Sequence, residues 1–329
     1  RKVDCPYGEV RNGGYTYFAE GDFIIAKITP CMENGKCAIA EGLTNGIGFG
    51  SSEFHTFRCH ASEILTKFLF LLLNQTTVRK AAEDAMTGAS GHRRVPAAFY
   101  EEMLIPVPPI PVQQQVIDEC AKIDEEYNAT RMRIETYRQK TADLFAELDA
   151  VMSTTEGNRL SLSDTEKFSV AIGKRVLDKE LASNGTIPVY SANVTAPFGF
   201  IDKLLITDFS APSVLWGIDG DWMTSYLPSD MPFYPTDHCG VLRCKNSEVN
   251  PRYLAHILEV EGRKMGFSRS YRASIDRVHG IAFTVPDISI QNNAMSKVAD
   301  YEMAIKELEG SLEKIASRRS EIIRKALAE

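Results

Sequence analysis

The chain has 329 residues, 44% of them hydrophobic, and a formal net charge of −7, which is too apolar for a disordered protein and enough for packed cores in roughly two to three domains. The longest purely apolar run, Phe68 to Leu73, falls far short of the ~20 residues of a membrane span, and the start Arg1-Lys-Val-Asp is no signal peptide, so a cytoplasmic protein is expected. The acidic balance argues against wholesale coating of nucleic acid but leaves room for local basic faces.

From Arg1 to about Ile105 the texture is mixed. Phe18 to Ile28, Gly35 to Ala40 and Ser52 to Arg58 read as strands, Gly46 to Gly50 as a glycine-rich turn, and Ile64 to Ala85 as one helix with Leu65, Phe68, Leu69, Leu72 and Leu73 on one face. Pro106 to Pro111 closes this segment, because four prolines in six residues continue neither helix nor central strand.

A long helix follows, from Val112 to about Val151. Val116, Cys120, Ile123, Tyr127, Thr130, Ile134, Tyr137, Thr141, Leu144, Leu148 and Val151 are spaced alternately four and three apart, a heptad seam set in a charged surface. Such a stripe needs a partner helix. Adding 178 to the seam positions gives Ala294, Val298, Tyr301, Ile305, Leu308, Leu312, Ile315, Arg319, Ile322 and Ala326, apolar at nearly every step. The leader is repeated as well: Val107-Pro-Pro-Ile-Pro-Val-Gln-Gln-Gln answers Val285-Pro-Asp-Ile-Ser-Ile-Gln-Asn-Asn in register. Internal repetition is therefore the main fact of this sequence.

Between the two helices lies a second mixed segment, about Leu160 to Thr284. Strands are expected at Phe168 to Ile172, Ile187 to Tyr190, Ser213 to Gly217 and Gly240 to Cys244, and a helix at Pro251 to Met265. Both segments share an order: strands, a phrase Phe57-Arg-Cys or Leu242-Arg-Cys, a helix, a basic loop, and a proline-bearing strand into a long helix. Their side chains otherwise differ widely, as expected of a fixed frame carrying two different readers.

No catalytic constellation emerges. Gly46-x-Gly48-x-Gly50 lacks the strand-to-helix context of a dinucleotide site, and Glu33-Asn-Gly-Lys36 lacks the upstream glycine and following hydroxyl of a phosphate loop. Val107-Pro-Pro-Ile lacks the polar first and aromatic last residue of the amino-methyltransferase motif. The seven cysteines, Cys5, Cys31, Cys37, Cys59, Cys120, Cys239 and Cys244, form no Cys-x-x-Cys pair and read as reduced thiols. His238-Cys239 with Cys244 lacks a second pair of zinc ligands. Asp219 and Asp221, near Trp216 and Trp222, read as loop-capping residues rather than a nuclease pair.

Two basic loops are the better signals. Met86-Thr-Gly-Ala-Ser-Gly-His-Arg-Arg94 offers Thr87, Ser90, His92, Arg93 and Arg94 among glycines that permit close backbone approach to phosphates. Its counterpart after the second helix supplies Arg263, Lys264, Arg269, Tyr271 and Arg272. The alternative reading is that these arginines cap the preceding helix or bind the long helices. Lys27, Asn34, Lys36 and His55 in the first segment, and Lys174, Arg175, Tyr190, Asn193, Trp216 and Tyr226 in the second, supply amide, basic and aromatic groups of the kind that read base edges.

Taken together, several phrases resemble the specificity subunit of type I restriction-modification systems. They are Gly21-Asp-Phe followed by Lys27-Ile-Thr-Pro-Cys-Met-Glu-Asn-Gly-Lys36, then Gly50-Ser-Ser-Glu-Phe54, Met86-Thr-Gly-x-x-Gly-x-x-Arg-Val95, and Ile105-Pro-Val-Pro-Pro-Ile-Pro with Gln113 to Gln115. In the second half, Gly185-Thr-Ile-Pro-Val-Tyr190 and Phe283-Thr-Val-Pro286 belong to the same likeness.

The resemblance implies an α+β protein in which two mixed α/β target-recognition domains, residues 1–111 and 154–285, are separated by two long antiparallel coiled-coil helices, residues 112–153 and 286–329, in a pseudo-twofold repeat. It implies a DNA-binding subunit that performs no chemistry, reads a split asymmetric site with one domain per half-site, and docks two adenine methyltransferase subunits and, through them, restriction subunits. No cofactor is expected on this chain; S-adenosylmethionine is expected on the methyltransferase. About 47 residues separate Ser161 from Asp208, against 22 up to the similar Asp22-Phe phrase, so the first domain is expected to lack roughly twenty-five residues of its beginning. That keeps open a second reading, the recognition part of a fused restriction-methylation enzyme, and a third, a coiled-coil scaffold without a DNA role.

Overall fold

The most apolar stretches of the sequence form the buried layers of two separate units. The computed structural model describes residues 3–10, 13–60, 62–89, 91–154 and 157–327, and its units are Arg1–Arg133 with Glu307–Glu329, and Ile134–Lys306.

Unit 1 contains α1 (Tyr7–Val10), β1 (Thr16–Ala19), β2 (Phe23–Ala26), β3 (Cys37–Ile39), β4 (Ile47–Gly50), β5 (Phe54–Phe57), α2 (Thr66–Leu73), α3 (Thr76–Asp84), α4 (Ala97–Glu101) and the first part of α5 (Ile110–Thr154). β2 lies antiparallel between β3 and β5. Its alternation buries Phe23 and Ile25 against Leu69 and Leu73 of α2. Two expectations are corrected. The glycine-rich turn is confined to Thr44–Gly46, where Asn45 and Gly46 take φ 57° and 66°. Ile47–Gly50 is a strand paired with β1, and Gly48 is needed there because a Cβ would stand 2.2 Å from the Phe18 ring. The helix expected over Ile64 to Ala85 is two helices, α2 and α3, because Gln75 is extended at ψ 144° and interrupts the ladder.

Unit 2 contains the rest of α5, then β6 (Asn158–Ser161), β7 (Phe168–Ile172), β8 (Ile187–Tyr190), β9 (Gly199–Ile201), β10 (Ser213–Gly217), β11 (Thr224–Leu227), β12 (Tyr234–Pro235), β13 (Cys239–Cys244), α6 (Pro251–Met265), α7 (Ile275–His279), β14 (Ala282–Val285) and the first part of α8 (Ile288–Ala326). The main sheet has the order β11-β10-β13-β7, all antiparallel. α6 starts where Asn250 accepts from the Arg252 and Tyr253 amides, and stops at Gly266 with φ 76°. Trp216 of β10, Leu242 of β13, Leu254 and Leu258 of α6, Leu148 of α5 and Val298 of α8 share one core.

The heptad seam is buried in both units. In unit 1 Val116 and Cys120 of α5 pack with Ile323 of α8 and with Phe68 and Leu71 of α2, while Glu126 accepts two bonds from Arg318 at 2.8 and 3.0 Å. As numbers rise along α5 they fall along α8, so the two helices run antiparallel there. In unit 2 Tyr137 meets Tyr301 with ring centroids 5.5 Å apart, and Phe145 of α5 stacks on His256 of α6 at 4.0 Å.

One repeated device fixes each α/β layer to its long helix. Gln113 is wholly buried; its Oε1 accepts from the Leu65 amide at 2.8 Å, and its Nε2 donates to the carbonyls of Glu63 at 2.9 Å and Pro108 at 2.7 Å. Gln291, 178 positions on, is equally buried. It accepts from the Asn250 amide at 2.9 Å and donates to the carbonyls of Glu248 at 3.0 Å and Pro286 at 2.7 Å. A primary amide is the side chain that can serve one donor and two acceptors at once. The paired leader phrases thus encode a clamp.

Candidate nucleic-acid interface

The two units share the backbone bonds that tie the end of each basic loop to its sheet. In unit 1 the Lys27 amide donates to the Glu53 carbonyl at 3.0 Å, and the Lys27 carbonyl accepts from Val95 at 2.9 Å. In unit 2 the Ile218 amide donates to the His238 carbonyl at 3.0 Å, and the Ile218 carbonyl accepts from Ala273 at 2.9 Å. Lys27 therefore corresponds to Ile218, Glu53 to His238, Val95 to Ala273, and Arg94 to Arg272. Each basic loop turns back as a small hairpin, Thr87 with Arg94 and Ser268 with Tyr271.

At that shared place each unit presents an arginine held by a carboxylate. Arg94 donates through Nε and Nη2 to the two oxygens of Glu53 at 2.9 and 2.8 Å, and through Nη1 to the His92 carbonyl. The guanidinium holds the Glu53 carboxyl below its ordinary range. Arg272 donates to Asp219 at 3.2 Å. The same carboxylate accepts from His238 Nδ1 at 2.9 Å.

The remaining candidates are scattered. Thr87, His92, Asn34, Lys36, Lys174, Arg175, Asn193 and Arg269 are exposed, and Lys27 is half-buried beside Glu53. Ser90 lies outside the described residues. Asn34 lines a cleft of about 410 Å³ with α2, α3 and the long helices. Asn193 is occupied in a turn, its Oδ1 accepting from Thr195. Arg263 and Lys264 pair with Glu259 and Glu261 on their own helix. Tyr271 stacks on Phe267 and is covered by the Arg277 guanidinium at 4.0 Å.

Other candidates are buried or already engaged by neighbouring groups. Trp216 is 0% exposed and its Nε1 donates to the Ala273 carbonyl at 3.0 Å. Tyr190 is buried against Phe233. His55 spends Nε2 on the Val95 carbonyl at 2.9 Å and stands edge-on to Tyr100. Tyr226 is covered by the Arg252 guanidinium at 4.4 Å. Arg93 caps a helix, as the alternative reading had it: its Nη2 donates to the Glu83 carbonyl at the end of α3, 2.7 Å away.

Glu53, Asp219 and His238 were missed as members of these sites. By sequence Asp219 reads as a loop cap, and its partners stand 19 and 53 residues away, so no local pattern marks them. The proposed likeness of Asp22-Phe to Asp208-Phe is also displaced. Arg58 Nε donates to Asp22 at 2.8 Å and Arg243 Nε to Ser213 at 2.8 Å, so Asp22 answers Ser213, five residues beyond Asp208.

Asp22 is 2% exposed and its carboxyl is held below the ordinary range, chiefly by Arg58. A carboxylate depressed in the folded state contributes stability above its unfolded value, about pH 4, and that contribution is lost as pH falls toward the folded value. The urea midpoint of unit 1 is expected to drop more steeply below about pH 4 in the wild type than in Asp22→Asn. Parallel pH profiles would contradict this assignment.

Cys239 and Cys244 are both pushed up to about 12 by burial, so near neutral pH they are thiols packed as apolar groups. Among the described residues no group of three or more histidine, cysteine or acidic side chains is placed to hold a metal ion.

Residues 165–316 match the family model for the type I restriction modification DNA specificity domain. Over 104 residues, 32% of this chain, the sequence is 48% identical to the type I restriction enzyme EcoAI specificity subunit of Escherichia coli. Over 146 residues, 43% of the chain, it is 36% identical to the EcoEI specificity subunit of the same organism. The chain is thus similar to type I specificity subunits. The matched stretches span only 18% and 24% of those two relatives. Two solved structures share the fold: the S subunit of a type I restriction-modification system from M. genitalium, with TM-score 0.58 and 15% identity over 94% of this chain and 84% of that one, and a chain from a structure of type I restriction-modification complex assembly, with TM-score 0.58 and 16% identity over 95% and 83%. The protein is α+β, with mixed helix and sheet in each unit and α5 packed antiparallel on α8. No helix among the described residues is long and apolar enough to cross a membrane.

Proposed function

We propose that this chain is the DNA-reading subunit of a cytoplasmic type I restriction-modification complex. The segments 1–111 and 154–285 each read one half of a bipartite asymmetric site, and the helices 112–153 and 286–329 dock two adenine methyltransferase subunits and, through them, the restriction subunits. The chain performs no chemistry; S-adenosylmethionine is bound by the methyltransferase. The observation that carries this reading is the pair of equivalent arginine loops, Arg94 and Arg272, set on the same backbone position of two units whose other side chains differ. A shared frame with divergent side chains is what two half-sites of unlike sequence require.

Adenine-methylation mapping of the host genome, with the gene intact and deleted, tests it. A split motif with a fixed gap is expected to vanish on deletion. An unchanged methylation pattern would overturn the reading.

A further inference from the structure

The two acid–arginine sites are too exposed to be kept for stability. Arg94 and Glu53 are 43% and 28% exposed, and Arg272 and Asp219 55% and 29%. Ion pairs in such surroundings contribute little to folding, because water already solvates both charges. Their positions, however, are fixed by the strongest features of each unit. Val95 and Ala273, the residues after the two arginines, are each 1% exposed and hydrogen-bonded into the sheet. Glu53 and His238 each stand immediately before a strand, β5 or β13, that pairs with β2 or β10.

Each pairing also leaves hydrogen-bonding capacity unused. Arg94 has five N–H groups, and its bonds to Glu53 and the His92 carbonyl engage one on each nitrogen, so Nη1 and Nη2 each keep a second. The carboxylates keep lone pairs. In unit 2 the Asp219 carboxylate accepts from His238 Nδ1, and Nε2 on the far side of the ring lies 3.9 Å from Asp237, beyond hydrogen-bond distance. A guanidinium immobilised by a carboxylate has already lost its rotamer freedom, so it can discriminate without losing more on binding.

We infer that Arg94 with Glu53, and Arg272 with Asp219 and His238, are the specificity-determining positions of the two units, each reading the major-groove edge of one G·C pair. The guanidinium N–H groups face the O6 and N7 acceptors of guanine, and the carboxylate accepts from the N4 amino group of cytosine. An A·T pair offers an amino group at the purine where the guanidinium needs an acceptor, and so is rejected. Lys27 and His92 stand near Glu53 in unit 1, whereas in unit 2 the place of Glu53 is taken by His238, so the surroundings of the two readers are unlike, as two different half-sites demand.

This inference rests on the DNA-reading function proposed above, and the two fail differently. If no motif depends on the gene, the function itself falls, and this inference with it. Once a motif is known, the full chain with its co-purifying subunits is titrated with duplexes carrying single base-pair changes at each position in turn. Wild type is expected to prefer G·C at one position in each half-site by roughly ten- to a hundred-fold. Arg272→Gln and Asp219→Asn are expected to collapse that preference toward one at a single position of one half-site, leaving every other position and the other half-site unchanged. Arg94→Gln and Glu53→Gln are expected to do the same in the other half-site. Should an arginine variant fail to fold, the carboxylate variants, which preserve shape, carry the test. Unchanged preferences, a relaxed position that is A·T, or equal weakening at every position would each overturn the inference; equal weakening would mark the arginines as phosphate contacts.

Discussion

Trp216→Ala is expected to destabilise unit 2 by about 3–5 kcal/mol, the usual cost of deleting a large buried aromatic side chain. The indole is wholly buried, and it lies across β13 at a point where only glycine fits: a Cβ on Gly240 would come within 2.0 Å of the ring. Truncation leaves a cavity and strips the Ala273 carbonyl of its donor. Because Trp222, the second of two tryptophans, is also in unit 2 and its Nε1 donates to the Glu259 carbonyl, its fluorescence reports the transition in the variant. A wild-type urea midpoint in Trp216→Ala would show that the indole is not a core residue. Ala273 follows Arg272, so the same substitution is expected to loosen the arginine loop and weaken DNA binding indirectly. Trp216→Phe, which refills most of the cavity, should restore much of both.

Gln291→Leu carries the second largest expected effect, about 2–4 kcal/mol. Leucine matches the glutamine in size but leaves the Asn250 amide and the carbonyls of Glu248 and Pro286 without their partner. Asn250 is the N-cap of α6, so its amide should exchange with solvent far faster in the variant. Gln291→Glu separates the terms: the carboxylate still accepts from Asn250 but cannot donate to the two carbonyls, and it places a buried charge. It is expected to be at least as damaging as leucine. Gln113→Leu should weaken unit 1 in the same way, read at the Leu65 amide. If either leucine variant keeps its midpoint and its exchange rate, the clamp has no energetic role.

The arginines of the first basic loop show how adjacent residues of one type divide their work. Arg93 donates back to the end of α3, whereas Arg94, one residue on, is turned to Glu53. Both are equally basic in the sequence, and only the direction of the chain as it leaves the hairpin separates a helix cap from a candidate reader. The same holds for the aromatics: Trp216, Tyr190 and Tyr226 look like base-stacking groups by type, but strands β8 and β10 turn the first two inward and Arg252 covers the third.

What the sequence by itself determined is whatever repeats or alternates along the chain. The heptad rhythm of both long helices, the strands Phe168–Ile172, Ile187–Tyr190 and Ser213–Gly217, the helix Pro251–Met265, and the Gln113 and Gln291 leaders were all legible, because period and repetition are local properties. What only the tertiary structure decided is which distant side chains meet. Asp219, His238 and Arg272 come from three separate stretches, and Glu53 reaches Arg94 across 41 positions. Local pattern fixes which face of an element is buried, but the partner on the exposed face depends on how strands far apart in sequence register against one another.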